Sequence, residues 1–504
     1  MDYVLMFAEY AREVQGSADA RSSRQQRLYA CLRAAILRGT IAPGTQLPAS
    51  RVLAQELGVA RNSVLYAYEQ LAAEGFVSGS RQGTVVADVG LALHAQAKAQ
   101  AQAQALAHDA YRPRLSRRAS NIGRPADDHS DSDDEPRAFV PGLPALDVFP
   151  MRQWRRCLER AWRSVDSTRL DFMSLGGHLA LREAIANYVR VSRGVRCDAS
   201  HVVVTDGTQS SLDLCARTLA DAGDTAWMED PGYGGAQAAF QCADLRVVPV
   251  PVDADGLAPQ PTLWHEAPPK LIYITPSHQY PLGSVMSLER RLMLLQAASA
   301  CGAWIIEDDY DSEFRHHGTP LASLQGLAPD APVVYLGTFS KVMFPALRIA
   351  FIVAPPALAH QLVKVASRLM PMGRLAEQIA LAEFIDSGNF TQHLRRMRKL
   401  YGERREALLS ALQSHMSGLL TVSAGAGGMH LSARLDVPVD DVAVSEAARA
   451  HGLTLRPLSP FCIGAPARGA YNGFVLGYGA VGAQHMEAAV LRMRGVIEAM
   501  AGEN

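Results

Sequence analysis

Lys341 closes the run Tyr335-Leu336-Gly337-Thr338-Phe339-Ser340-Lys341, with Arg348 seven residues further on. The β-branched stretch from Val333 to Leu336 delivers this lysine into a turn beside the hydroxyls of Thr338 and Ser340. A lysine set among small and apolar groups gives up its proton more readily than a solvated one, and the free amine forms an imine with an aldehyde. On its own, a lysine after a strand reads as ordinary surface. Three other segments argue for chemistry. Trp304-Ile305-Ile306-Glu307-Asp308-Asp309-Tyr310 is an apolar strand ending in acids and a tyrosine, where open α/β sheets put their ligand chemistry. Asp308 suits pairing with a protonated ring nitrogen, which strengthens an aromatic cofactor as an electron sink, and Tyr310 suits a phenolic oxygen on the same ring. Val202-Val203-Val204-Thr205-Asp206-Gly207-Thr208-Gln209 passes from a strand into a helix over Ser210 to Leu219, whose free N-terminal amides suit a phosphate. A tight strand-to-helix turn with no ligand accounts for those residues equally well. Glu229-Asp230-Pro231-Gly232-Tyr233 is a turn that presents the Tyr233 ring face to a flat ligand, or simply packs it.

The elements that must position these residues follow the pattern of a large α/β domain, since short β-branched runs alternate with amphipathic stretches from about Phe139 onward. At roughly 100 to 200 residues per domain, the 504 residues leave room for further modules. Apolar residues at 48% and charged residues at 20% exclude wholesale disorder. The 49 Lys and Arg against 50 Asp and Glu leave the chain near neutral, so any nucleic-acid or membrane binding must reside in a local patch. Seven cysteines without a C-x-x-C read as reduced thiols, with no disulfide frame and no metal cluster implied. His316-His317 reads as polar surface rather than a metal site. The apolar stretch Val4 to Ala8 is too short for the core of a signal peptide, and no run approaches a membrane span. The expected location is the cytoplasm, without membrane attachment.

A basic patch does exist. Between Arg21 and Thr84 the chain has eight arginines against three acids. An amphipathic stretch from Arg24 to Arg38 keeps Leu28, Leu32, Ala35 and Ile36 on one face, and Gly39 closes it. Ser50 is the expected N-cap of a second helix running to Leu57, with Gly58 to end it, and Arg61-Asn62-Ser63 opens a third with Val64, Tyr68 and Leu71 buried. Phe76-Val77-Ser78, a polar turn and Thr84-Val85-Val86 make a hairpin. Two short helices, a turn and a wing form a DNA reader, with Arg61 and Asn62 at base edges and Arg51, Ser63, Gln82, Gly83 and Thr84 nearer the backbone. A protein-docking module with a solvated arginine face is the competing reading. Beyond it lies an Ala/Gln-rich stretch, then Arg112, Arg114, Arg117 and Arg118, then six acids between Asp127 and Glu135, which together read as a tether. The expected domains are residues 21–88, a linker over 89–137, and 138–504.

Leu47-Pro48-Ala49-Ser50-Arg51, Ala60-Arg61-Asn62-Ser63-Val64 and Glu74-Gly75 resemble the GntR-type winged helix. The segments around Tyr233, Asp308 and Lys341, with Thr275-Pro276-Ser277-His278-Gln279-Tyr280-Pro281-Leu282-Gly283, resemble a fold-type I aminotransferase domain. The combination is similar to the MocR-type transcriptional regulators, which join the two through a long linker. That resemblance implies a mostly parallel sheet with flanking helices and a small C-terminal α/β subdomain. It implies pyridoxal 5′-phosphate held as an imine on Lys341, Asp308 on the pyridine nitrogen, Tyr310 on the phenolic oxygen and Tyr233 on the ring. Gly207, Thr208, Gln209, Ser340 and Arg348, with Thr338 in the same turn, would hold the phosphate, and His278 would lie near the substrate side. Two departures stand out: Phe172 replaces a tyrosine that reaches the partner subunit's phosphate, and Gly234-Gly235-Ala236 lacks an arginine for an acidic effector. Arg456 and Arg468 are the remaining candidates for a carboxylate fork.

Three functions fit these residues. In the first, a homodimer reads two promoter half-sites, and the cofactor, or an amine or amino acid joined to it, shifts the dimer geometry. In the second the protein is a working aminotransferase with a DNA-targeting module, which amino-group turnover would distinguish. In the third the large domain is a scaffold without cofactor, against which Lys341, Asp308 and Tyr310 stand together. The acids from Asp127 to Glu135 carry one more expectation, transient docking on the basic module.

Overall fold

The computed structural model describes residues 2–13, 23–80, 83–88, 116, 118–119, 138–169, 175–315, 322–328, 330–370, 373–423, 425, 427–464 and 469–502. The chain divides into two units, Met1–Arg114 and Leu115–Asn504. The first contains helices α1 (Tyr3–Glu13), α2 (Arg24–Leu37), α3 (Ser50–Leu57) and α4 (Arg61–Ala73), then strands β1 (Val77–Ser80) and β2 (Gly83–Val86). Ser23 and Gln26 cap α2 reciprocally, and Gly58 ends α3 in the left-handed conformation that its lack of a Cβ permits. The α3 N-cap is Ala49, which has no side chain to offer, so Ser50 is the first helical residue and not the cap. The Ser50 hydroxyl instead receives the Arg61 Nε at 3.4 Å, linking the starts of α3 and α4. Leu28, Leu32, Leu53, Val64 and Leu71 form the buried centre, and α1 adds Tyr3 to it. Met6 and Phe7 pack against it too, so the helix over Val4 to Ala8, read from the sequence only as too short for a signal peptide, contributes to this core.

The second unit is built on an eight-stranded sheet in the order β3-β10-β9-β8-β7-β4-β5-β6. Its strands are β3 (Val202–Thr205), β4 (Thr225–Asp230), β5 (Arg246–Asp253), β6 (Gly256–Leu257), β7 (Leu271–Ile274), β8 (Trp304–Asp309), β9 (Val333–Thr338) and β10 (Ala350–Val353). β4, β5, β7, β8 and β9 run parallel, whereas β10 is antiparallel to both β3 and β9. The β-branched runs are buried on both faces, as parallel strands covered by helices must be. Met228, Tyr273, Ile306, Val334 and Leu336 pack under helices from one side, and Trp227, Ile272, Ile305 and Val333 from the other. A four-stranded antiparallel sheet, β11-β12-β14-β13, closes the C-terminal part, with β11 at Leu420–Val422, β12 at His430–Leu435, β13 at Arg456–Pro457 and β14 at Gly473–Gly477. It packs with the long helix Asn389–His415 and the helix Ala483–Gly502 in one continuous apolar cluster. No described helix is long and apolar enough to cross a membrane.

One glycine sets how closely β9 approaches β10. Gly337 faces Phe351 across the ladder, and a Cβ there would collide with the Phe351 ring. Gly337→Ala is expected to cost about 1–3 kcal/mol of stability, the usual penalty for overpacking a core. Denaturant unfolding at constant m-value checks it; an unchanged midpoint would mean that the strand pair yields freely.

Candidate functional site

A cavity of about 470 Å³ gathers residues from separate stretches of the sequence. Lys341 lines it beside Thr338 and Ser340 from the turn after β9, and Asp308 and Tyr310 enter from the end of β8. Thr208 and Gln209 enter from the start of the helix Thr208–Leu219, Tyr233 from the turn after β4, and Arg348 from the short link between β9 and β10. Parallel strands bring these groups together because their carboxyl ends all meet one edge of the sheet.

The interior wall is an acid without a salt-bridge partner among the described residues. Asp308 is 4% exposed. Its Oδ2 accepts the Tyr273 hydroxyl at 2.8 Å, while its Oδ1 is buried with no hydrogen-bond partner among the described residues. Burial pushes the Asp308 carboxyl up to about 7, with Asp309 and Asp311 adding to the rise and the Tyr273 hydrogen bond and Lys341 opposing it. Such an orphaned oxygen costs free energy until a donor arrives. A protonated pyridine nitrogen is a donor of the right kind.

Another part of the site suits an anion. The helix Thr208–Leu219 starts two residues earlier than the expected Ser210, and its N-cap is Gly207 at φ 102° with no side chain capping the first amides. A Cβ on Gly207 would come within 3.0 Å of the Arg348 guanidinium carbon. Glycine therefore lets the Arg348 guanidinium lie close against the helix N-terminus, with Ser340 lining the same cavity. The Gln209 carboxamide donates to Gly235 O at 2.8 Å, fixing the helix start to the Tyr233 turn. Gly235 in turn leaves space that a side chain would take from the Tyr233 ring. An unpartnered carboxylate oxygen, a lysine and an uncapped helix N-terminus in one cavity fit pyridoxal phosphate.

Other residues named from the sequence lie elsewhere or outside the described residues. His278 does not line this cavity; it sits behind Tyr310 with its Nδ1 3.0 Å from the Tyr310 hydroxyl. Arg456 is buried on β13, opposite Val475 of β14, and does not line the cavity either, because its short strand belongs to the C-terminal sheet. Arg468, Phe172, His316, His317, Gln82 and the acids from Asp127 to Glu135 fall outside the described residues. Tyr273, Gly142, Tyr280 and His430 line the cavity although the sequence reading gave them no role there. Tyr273 reads as one more apolar strand position, and His430, whose burial pushes it down to about 3 and so neutral, opens β12 far along the chain. Gly142 lies against Lys341, where a Cβ would approach the amine to 2.6 Å.

In the first unit, Arg51, Arg61 and Asn62 are exposed and Ser63 is half-buried at the start of α4. Gly83 and Thr84 begin the second wing strand, paired with Ser80 and Gly79. The arrangement offers a helix N-terminus and a hairpin to one duplex.

The fold and site define a class: a winged helix-turn-helix joined to an aminotransferase-like α/β unit. Residues 24–86 match the bacterial regulatory proteins, gntR family, and residues 146–469 match aminotransferase class I and II. The chain is 40% identical to the probable rhizopine catabolism regulatory protein MocR of Rhizobium meliloti, over 96% of this chain and 95% of that protein. It is 33% identical to the HTH-type pyridoxine biosynthesis transcriptional regulator PdxR of Corynebacterium glutamicum, over 89% of this chain and 90% of that one. Among solved structures it resembles the α-aminoadipate aminotransferase LysN of Thermus thermophilus, complexed with N-(5′-phosphopyridoxyl)-L-leucine, with a TM-score of 0.68 and 26% identity over 77% of this chain and 98% of that one. The protein belongs to the MocR-type family of GntR transcriptional regulators.

The raised carboxyl of Asp308 sets a pH dependence. In the folded, cofactor-free protein it keeps its proton up to about pH 7, whereas the unfolded chain releases it near the ordinary value of 3.8. The folded state therefore binds the extra proton between those values, and stability falls as pH rises through that window. Asp308→Asn is expected to melt higher than the unsubstituted cofactor-free protein at pH 8, the gap closing towards pH 4. Glu307, also raised to about 7, titrates in both proteins and cancels in the difference, whereas Glu229, raised to about 7 by burial and in part by the Asp308 charge, is relieved in the Asn variant and adds to the same trend. Parallel pH profiles would show that Asp308 bears no such cost.

Proposed function

We propose that the C-terminal unit of this transcriptional regulator takes up pyridoxal 5′-phosphate on Lys341 and that its occupancy changes how a homodimer presents two winged helices to promoter half-sites. The observation that carries this reading is the buried, unpartnered Asp308 oxygen in the same cavity as Lys341. When bound, the cofactor supplies an aldehyde that condenses with amines and a ring that draws electrons from the new bond. Lys341 provides the amine that anchors it. Asp308 would receive the ring N–H, Tyr310 would meet the ring oxygen and Tyr233 would cover the ring. Gly207, Thr208, Gln209, Ser340 and Arg348 hold the phosphate, with Thr338 positioning the Ser340 amide through a 3.2 Å contact. On DNA, Arg61 and Asn62 read bases while Arg51, Ser63, Gln82, Gly83 and Thr84 hold the backbone. The domains fall at residues 21–88 and 138–504, and the protein works in the cytoplasm. The signal is the cofactor itself, or an amine or amino acid joined to it; the names of both regulators above tie them to small-molecule metabolism.

Linkage demands only that the ligand favour one geometry over the other. A second reading, a working aminotransferase with a DNA-targeting module, draws on the same set of cavity residues. Steady transfer of amino groups from an amino acid to a keto acid would favour it.

Fluorescence anisotropy at fixed salt, with DNA from upstream of the protein's own gene, tests the sensor reading. Protein reconstituted with pyridoxal phosphate is expected to bind with an affinity different from that of cofactor-free protein, and Lys341→Ala is expected to lose both the difference and the visible absorption band. Equal affinities with and without cofactor would remove the coupling. Arg61→Ala is expected to relax preference at one base pair by about 1–3 kcal/mol; a uniform loss across sequences would reassign it to a phosphate.

A further inference from the structure

Behind the cavity wall lies a buried polar chain that cofactor holding alone does not use. Asp311, immediately after Tyr310, is 1% exposed, and its two carboxylate oxygens lie 3.2 and 3.1 Å from Nδ1 of His278, itself 3% exposed. A carboxylate only accepts, so Nδ1 carries the imidazole hydrogen. The Tyr310 hydroxyl lies 3.0 Å from the same Nδ1 and donates to the His278 carbonyl oxygen at 3.0 Å. Both of these hydroxyl contacts come from one residue. The imidazole has no alternative seat: a Cβ on Gly428 would overlap its ring, and one on Gly283 would come within 3.2 Å of Nε2. Asp311 is held in turn by the Met429 amide, which donates to Oδ2 at 3.1 Å from the residue before β12. His430, the next residue, lines the cavity and has its ring centroid 4.7 Å from that of His278.

We propose that His278 and Asp311 are positioning residues that hold the Tyr310 hydroxyl at the cavity wall, so that it meets the cofactor's ring oxygen at a fixed place and with a fixed proton. This inference rests on the cofactor reading. The physical reason is one of freedom. A phenol hydroxyl swings about its C–O bond, and a lone tyrosine at the end of a strand points its proton wherever an acceptor stands. The Nδ1–H is taken up by Asp311, which pins the His278 ring and backbone; the His278 carbonyl then gives the Tyr310 proton one resting direction, so the oxygen is already oriented when the ring arrives. Asp311 makes the arrangement firm by fixing which imidazole nitrogen bears hydrogen. The other titratable groups facing Tyr310 are Asp308 beside it on β8, Glu229 on β4, Tyr280 from the loop after β7, His430 on β12 and Lys341 across the cavity.

The test uses full-length protein loaded with pyridoxal phosphate and reads its visible absorption against pH together with the cofactor's dissociation constant. Asp311→Asn keeps the shape but weakens the hold on Nδ1. It is expected to move the absorption midpoint by about half a pH unit or more and to weaken cofactor binding roughly tenfold, with His278→Gln acting in the same direction. In a Tyr310→Phe background, Asp311→Asn is expected to change neither quantity, because its effect runs through the hydroxyl. Equal effects of Asp311→Asn in both backgrounds, with thermal melting reporting the folded state, would make Asp311 a plain structural support and overturn the inference. A midpoint and affinity indistinguishable from those of the unsubstituted protein would overturn it too. Cofactor affinity that falls on dialysis against EDTA would assign His278, Asp311 and His430 to a bound cation instead. Unsubstituted protein that takes up no pyridoxal phosphate would end the cofactor reading and this inference with it, whereas normal uptake with an inert Asp311→Asn ends this inference alone.

Discussion

A carboxylate placed in the middle of a sheet, with no cation paired to it among the described residues, is the constraint around which the C-terminal unit is arranged. Asp308 sits at the end of the central strand β8, between β7 and β9, where apolar neighbours exclude water. Tyr273 satisfies one of its oxygens from the adjoining strand. The other waits for a donor. A charged acid held this way is unfavourable for the empty protein, and the cost is relieved either by protonation, below about pH 7, or by a hydrogen-bond donor entering the cavity. Destabilising the empty state is what gives a ligand leverage over the rest of the molecule, because binding energy then does structural as well as chemical work.

The second requirement is that both ends of the ligand be met at once. Asp308 supplies one contact, and Thr208 and Gln209 at the start of the helix Thr208–Leu219 supply another in the same cavity. The two segments are about a hundred residues apart in sequence, yet β3 and β8 lie in one sheet with β10 and β9 between them. A parallel sheet turns that sequence separation into a fixed spacing, since every strand end is held by its neighbours' ladders. Antiparallel β10 is needed for the same reason: it returns the chain from Arg348 and places β3 beside the Lys341 turn.

Much of this was legible in sequence, and the reasons for what was not are physical. Lys341, Asp308, Tyr310 and Tyr233 stand at ends of apolar runs, where a change from β-branched to polar residues marks both a strand terminus and a ligand edge. The winged helix was legible because glycines and arginines punctuate it at helix boundaries. Tyr273 was not, because its hydroxyl is the only polar side-chain atom on an otherwise apolar strand and periodicity records side, not chemistry. His430 was not, because a residue that joins the cavity through a second sheet leaves no spacing signal. The cap expected at Ser50 failed for a subtler reason: Ala49 already occupies the extended cap position, and the serine hydroxyl serves Arg61 instead. Arg456 looked available as an isolated arginine, but the pairing of β13 with β14 draws it into the C-terminal sheet.

The C-terminal sheet is tied directly to the strands and loops that carry the cavity residues. It touches the site through several hydrogen bonds: His430 Nε2 lies 3.1 Å from Pro281 O, the Met429 amide reaches Asp311, and the amides of Ile463 and Gly464 reach Asp230 at 2.8 and 3.2 Å. These contacts join β12 and the loops of the smaller sheet to the end of β4 and to loops of the larger sheet beside the cavity. A ligand that draws Tyr233, Tyr280 or Tyr310 inward therefore acts on both sheets together. Moving a two-state equilibrium from 1:99 to 99:1 takes about 5.5 kcal/mol of differential binding. Only those carboxylate and phosphate contacts that one geometry makes and the other lacks count towards that figure.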